Sequence, residues 1–163
     1  PHLATVFCGE SNMDVISVAA GIVLDGGKSV FITRRRLNQT FSGYWEFPGG
    51  KVEFEETPES ALSRELSEEL DIRVGEAQHY LTVDWHDANK KFVLDFFLIL
   101  SYSGYPKGAE GQHGKWVPIK DLISKNSKFT FPDANKPIIQ KLALAITSPR
   151  FTIAPSFAKF SLL

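Results

Sequence analysis

An α/β fold is predicted by three features of the sequence. Runs rich in β-branched and aromatic residues at 14–24, 28–35, 73–84 and 91–102 have the length and composition of strands. Between the second and third lies a stretch with leucines at helical spacing, 58–70, and a second amphipathic stretch ends near Ile146. The 163 residues suit one domain, long enough to bury roughly two-thirds of its unfolded surface in a single core.

The totals exclude several function classes. With 43% hydrophobic and 23% charged residues and a net charge of -1, the chain has no broad basic excess of the kind that duplex binding requires. Cys8 is the lone cysteine and cannot close an internal disulfide. No apolar run reaches the ~18 residues of a membrane span, and no signal-peptide pattern is visible, so a reducing, cytoplasmic setting is the default expectation. Pro1 in place of an initiator methionine is compatible with a trimmed N-terminus.

Taken in order, residues 1–12 hold a small apolar patch, Val6-Phe7-Cys8, with no chemistry attached. The nearly continuous run 14–24 suits a strand buried on both faces, and Asp25-Gly26-Gly27 is a turn into the strand 28–35. That strand ends in Arg34-Arg35-Arg36, three cations that are solvated unless an anion lies nearby. Period-2 alternation separates Arg35 from Arg34 and Arg36. Arg34 and Arg36 read as surface residues, whereas Arg35 either joins them or turns toward a phosphate-bearing ligand, for which a guanidinium is suited.

A polar loop, 37–43, leads to Tyr44-Trp45-Glu46-Phe47-Pro48-Gly49-Gly50-Lys51. The paired glycines allow the backbone to approach a ligand closely, and the Gly50 carbonyl is a plausible extra oxygen for a cation. Trp45 reads as core rather than as a platform for a base. In the strand 91–102 Asp95 is the odd residue, expected either to face a cleft or to pair with a cation. His79 and His86 lack ligand-like spacing. The glycine-rich loop 103–114 carries Glu110, either a solvent-facing side chain or one more carboxylate for an acidic site. A short strand at 115–117, a helical turn at 118–124 and the segment Phe131–Pro137 follow, with Asp133 placed to cap the last helix. The tail from Arg150 has no clear period; it packs on the body, meets a second subunit, or begins a further segment.

The densest chemistry lies in 50–72, which holds seven glutamates: 53, 55, 56, 59, 65, 68 and 69. Thr57 can cap a helix there, Pro58 suits its first position and Glu59 its positive end. At 100° per residue Leu62, Leu66 and Leu70 form one ridge, and Glu65, Glu68 and Glu69 crowd a neighbouring face. Such carboxylates repel by a few tenths of a kcal/mol per exposed pair, and by more when partly buried. A solvated acidic face is one reading. The other is a site for a hard divalent cation, which reverses the sign of the effect.

The spacing from Gly50 through Glu56 and Arg64 to Ile72 resembles the Nudix box, G-x5-E-x7-R-E-U-x-E-E-x-G-U with U aliphatic. Every fixed position matches except that Asp71 stands where the pattern has glycine, and Asp can adopt the left-handed turn which that glycine supplies. Beyond the box, the chain is similar to the MutT branch of that family, the 8-oxo-dGTP diphosphatases, over roughly 18–142. The shared motifs are FITRR at 31–35, EFPGGK at 46–51, EGQ-x-G-x-W at 110–116 and FP-x-AN-x-P at 131–137.

The resemblance implies an α/β/α sandwich with a mixed central β-sheet flanked by helices. It further implies Mg²⁺, with Mn²⁺ as a substitute, held by Gly50, Glu65, Glu68, Glu69 and Glu110. Glu65, Glu69, Arg64 and Glu110 would be catalytic, with Arg64 orienting glutamates and Glu56 its partner, and Glu69, Glu65 or Glu110 taking the proton. Arg35, Phe47 and Asn135 would bind substrate, the Asn135 amide reading a purine edge and a backbone carbonyl near Phe47 reading the N7–H of an oxidised guanine. The implied reaction is hydrolysis of 8-oxo-dGTP to 8-oxo-dGMP and pyrophosphate, cleansing the nucleotide pool and preventing mutation. The alternatives are a Nudix hydrolase of another nucleotide (CTP, a dinucleoside polyphosphate or a nucleotide sugar) and a non-catalytic nucleotide-binding module. Residues 1–147 are expected to form a single domain followed by a tail, 148–163, as a monomer or weak homodimer with no nucleic-acid or membrane partner.

Overall fold

The computed structural model describes residues 14–26 and 28–148. The patch around Cys8 and the tail beyond 148 lie outside them. A four-stranded mixed sheet has the order β4-β1-β6-β5: β1 (Asp14–Val23) lies parallel to β6 (Lys90–Ser103) and antiparallel to β4 (Gly49–Lys51), and β5 (Arg73–His86) forms a long antiparallel hairpin with β6. A second, antiparallel sheet has the order β3-β2-β7, formed by Trp45–Glu46, Ser29–Arg34 and Gly114–Pro118.

Alternation along β1 divides the core into two layers. Ala19 and Val23 face α1 (Pro58–Leu70), where they meet Leu62, Leu66, Leu70, Phe97 and Ile99. Ala20, Ile22 and Leu24 face the opposite way, onto Phe47, Phe96, Ile138 and Leu142, the last two from α3 (Lys136–Thr147). This is the sandwich that the resemblance implies, and it explains why β1 reads as an uninterrupted apolar run.

The helix α1 has the predicted bounds. Thr57 Oγ1 accepts from the Ser60 N–H (3.2 Å), Pro58 opens the first turn, and Leu62, Leu66 and Leu70 are fully buried. Asp71 ends it in the left-handed conformation (φ 58, ψ 37), its N–H donating to the Ser67 carbonyl at 3.1 Å. The hairpin strands and β7 extend one or two residues past their predicted ends, and a helical turn α2 occupies Ile119–Leu122.

Residues 45–51, to which the sequence reading gave no element, contain β3 and β4 on either side of Pro48, because this segment leaves one sheet and joins the other; the Pro48 carbonyl accepts from the Gly21 N–H (2.8 Å) at the crossing. One expectation fails. Asp133 does not cap α3: it opens a 3-10 turn, Asp133–Asn135, that leads into the helix, and its carboxylate pairs instead with Lys136 (2.6 Å).

Asp71 tests the box mismatch. Its side chain contributes only an exposed ion pair with Lys107, so Asp71→Gly should change the urea-unfolding free energy by less than about 1 kcal/mol, whereas the β-branched Asp71→Val should lower it by more than about 1 kcal/mol.

Candidate active site

The exposed side of α1 lies against the glycines of β4. A Cβ at Gly50 would stand 2.3 Å from the Glu65 carboxyl, and one at Gly49 (φ 154) 2.1 Å from the Ala19 carbonyl, so no other residue fits at either place without displacing its neighbours. The absence of side chains there lets the glutamates of α1 lie against bare backbone. Gly49 uses its N–H to donate to Glu69 Oε2 (3.2 Å).

Arg64 organises the first group of carboxylates. Its Nε and Nη2 donate to the two oxygens of Glu56 (3.0 and 2.9 Å), Nη1 to Glu65 (2.7 Å), and Nη2 to the Lys51 carbonyl (3.1 Å); Glu68 lies 3.7 Å away and is half exposed. These bonds raise the already high pKa of Arg64, Glu56 contributing most, and Arg64 in turn holds Glu56 below the ordinary carboxylate range.

Glu69 belongs to a second group. Burial is the largest cause that pushes its carboxyl up to about 8, Glu46 adds to it, and Glu65 and Glu110 add less against the opposing Gly49 N–H. Glu46, on β3, is also raised by burial in spite of its ion pair with Arg35. Thr33, Arg36, Glu46, Glu69, Glu110 and Gln112 are among the residues lining a niche of about 20 Å³, room for one water or one ion. The loop carrying Glu110 is fastened to the end of α1: the Ala109 N–H (2.8 Å) and Gln112 Nε2 (3.0 Å) both donate to the Glu69 carbonyl.

The base end of the predicted site is 3-10 and aromatic. Asn135 is one of two buried polar residues among those described, 7% exposed, and its amide neither caps α3 nor makes any other hydrogen bond among the described residues. Phe47 is buried and packs edge-on against Phe96 and tilted against Phe131, with ring centroids 5.9 and 5.6 Å apart.

The NUDIX domain model matches residues 15–142, which take in α1, both sheets and most of α3. The chain belongs to the Nudix family. It is 36% identical over 130 residues to an 8-oxo-dGTP diphosphatase of Escherichia coli K12, covering 80% of this chain and 98% of that one. It is 46% identical over 138 residues to a CTP pyrophosphohydrolase of the same organism, covering 84% and 98%. A solved MutT structure, from work on the Aliivibrio salmonicida and Vibrio cholerae proteins, superposes with a TM-score of 0.69 at 39% identity, covering 80% of this chain and 98% of that one.

The Nudix glutamates are brought to one end of the sheet but not to one point. Glu65 and Glu68 stay with Arg64, while Glu69 and Glu110 border the niche, and among the described residues no three acidic or histidine side chains converge closely enough to grip an ion. Carboxylates without a cation between them repel, and here each has taken a guanidinium or a backbone N–H instead. Nudix hydrolases in general need a divalent metal. The donor set fits one: it is all oxygen, it lies beside the Gly50 backbone, and its buried member, Glu69, is costly to ionise without a counter-charge.

Arg35 does not project freely into the site; it is held by Glu46 and by the Thr40 carbonyl. Arg36 is exposed, as read from the sequence, and in addition bonds Glu110 (3.1 Å). Asp95 has a partner, accepting from Thr82 Oγ1 and lying 3.2 Å from His79 Nε2, and His79 packs edge-on to Phe97. Glu46 and Gln112 escaped the sequence reading. The signal for Glu46 was its place at the start of EFPGGK, a charge beside a rigid apolar segment.

A raised carboxyl gives a defined pH dependence. Between 4.5 and about 8 the folded, metal-free protein retains a proton on Glu69 that the unfolded chain has lost, so its stability should fall as the pH rises through that window. Thermal unfolding of chelator-treated protein from pH 5 to 8.5 should show the decline, and Glu69→Gln should flatten it; an equal slope in the variant would remove Glu69 as its source.

Proposed function

We propose that this Nudix enzyme is a Mg²⁺-dependent nucleoside triphosphate pyrophosphohydrolase that converts 8-oxo-dGTP to 8-oxo-dGMP and pyrophosphate. The observation that carries the base assignment is Asn135, a mostly buried residue on the turn that follows Phe131, whose amide makes no hydrogen bond among the described residues. No side-chain nitrogen or oxygen that is itself buried lacks a partner among the described residues, so the polar atoms of this amide reach solvent although the residue as a whole is 7% exposed, and a ligand can replace the water they meet. One amide offers a donor to O6 and an acceptor to N1–H of a guanine. An 8-oxo purine adds an N7–H donor, and a carbonyl to receive it falls to Phe47, since the carbonyl of Pro48 is engaged by Gly21.

Water adds to phosphorus, the bridging P–O bond between the α- and β-phosphoryl groups breaks, and the water's proton passes to a carboxylate and then to solvent. Mg²⁺ held by Glu65, Glu68, Glu69, Glu110 and the Gly50 carbonyl would neutralise phosphate charge and acidify a bound water. Arg64 fixes Glu65 and, through Glu56, the start of α1; Gln112 fixes the Glu110 loop. Arg64 and Gln112 would hold these parts of the site in place, while drawing the carboxylates to one point would fall to the cation.

Hydrolysis of CTP is the second reading, favoured by the 46% identity to a CTP pyrophosphohydrolase. A turnover panel of 8-oxo-dGTP, dGTP, CTP and ADP-ribose with and without Mg²⁺ separates the two. A preference for 8-oxo-dGTP over both dGTP and CTP of at least about tenfold, roughly 1.4 kcal/mol in transition-state binding, is expected; CTP as the best substrate would establish the second reading. Asn135→Ala should erode that selectivity while leaving the Mg²⁺ requirement intact, and Glu69→Gln should abolish turnover without unfolding the protein.

A further inference from the structure

The three consecutive arginines at the end of β2 do different work. Arg34 Nε donates to the Gly43 carbonyl (3.0 Å) and Arg35 Nε to the Thr40 carbonyl, so both brace the loop 36–44 from inside. Arg36 has a different partner. Its backbone N–H is fixed by Gln39 Oε1 (3.0 Å), and its guanidinium spans the gap to Glu110, 74 residues further along the chain. That pair is half exposed at both ends, 41% and 47%, the kind of ion pair worth about 0–1 kcal/mol and readily exchanged.

Arg36 also stands between two spaces. On one side is the small carboxylate niche with Glu69 and Glu110; on the other is an open cleft of about 450 Å³ whose walls include Arg34, Arg35, Arg36, Gln112 and His113. The niche holds three glutamates with two arginines, and the cleft three arginines with no carboxylate; Arg34 and Arg36 border both, and of the two it is Arg36 whose guanidinium bonds a niche carboxylate among the described residues. A cation that takes the oxygens of Glu110 both removes the partner of Arg36 and repels it, and the nearest place for a freed guanidinium is the cleft. There its five donors match the oxygens of a polyphosphate better than a single carboxylate can.

We propose that the arginine-lined cleft receives the β- and γ-phosphoryl groups of the nucleotide, with Arg36 exchanging Glu110 for them when the carboxylate site takes its cation. The proposal rests on the reading of the protein as a triphosphate pyrophosphohydrolase but is independent of which base is preferred. It makes Arg36 a substrate-binding residue that faces the part of the substrate common to all nucleoside triphosphates.

Binding of inorganic pyrophosphate to the full chain in Mg²⁺, followed by calorimetry, tests it together with binding of the monophosphate product that the turnover panel selects. Wild type should bind both ligands. Arg36→Gln should weaken pyrophosphate by about tenfold or more and Arg36→Lys by less, as expected for loss of a polydentate charged donor, while monophosphate affinity changes by less than about twofold. Asn135→Ala should do the reverse, weakening the monophosphate and sparing pyrophosphate. No pyrophosphate binding by wild type, an unchanged affinity in Arg36→Gln, or an equal loss of both ligands in that variant would overturn the proposal. Arg36-dependent pyrophosphate binding by a protein that turns over none of the triphosphates would leave it standing and sink the enzymatic reading instead.

Discussion

Like-charge crowding at the seam between α1 and β4 is the constraint on which the rest of the structure depends. Glutamates 65, 68 and 69 sit on one helix face, Glu46 and Glu110 approach from other elements, and Gly50 leaves bare backbone where a side chain would displace Glu65. Left to itself such an arrangement would open. It is held because the opposite face of α1 is anchored: Leu62, Leu66 and Leu70 are fully buried, and each buried leucine contributes about 1.5–3 kcal/mol. That exceeds the few tenths of a kcal/mol per exposed like-charge pair on the other face.

Arg64 and Arg36 divide the remaining electrostatic task, but in different ways. Arg64 is tied to two carboxylates and a carbonyl through four donors, a polydentate arrangement that holds its shape whatever occupies the site. Arg36 has one partner at a half-exposed contact. The first arginine is held by several bonds, and the second by an exposed ion pair of the kind worth about 0–1 kcal/mol.

Much of this was legible in the sequence where a local rule had no competitor. The bounds of α1 follow from Thr57, Pro58 and the leucine spacing, and the left-handed end at Asp71 follows from the box position that it occupies. What stayed hidden depends on contacts distant in sequence. Glu46 reads only as the first letter of EFPGGK until β3 and β4 are seen to join different sheets, which carries it beside Glu69, 23 residues away by number. Arg36 reads as a solvated cation until the Glu110 loop folds back on α1. Asp133 shows the opposite failure: a good capping residue was overridden because Asp133–Asn135 form a tighter turn, with Lys136 at hand for the carboxylate.

The crossing segment 45–51 explains how the two layers of the core can serve one ligand. Phe47 belongs to the layer against α3, with Phe131 and the turn that carries Asn135, whereas Gly49 and Gly50 lie against the glutamates of α1. Three residues of extended chain span about 10 Å, comparable to the distance from a nucleobase to its phosphates. A substrate read at its base by Asn135 and cut at its phosphates beside Gly50 would therefore lie along this segment. Pro48 fixes its course, and the bond from the Gly21 N–H to the Pro48 carbonyl ties it to the central strand.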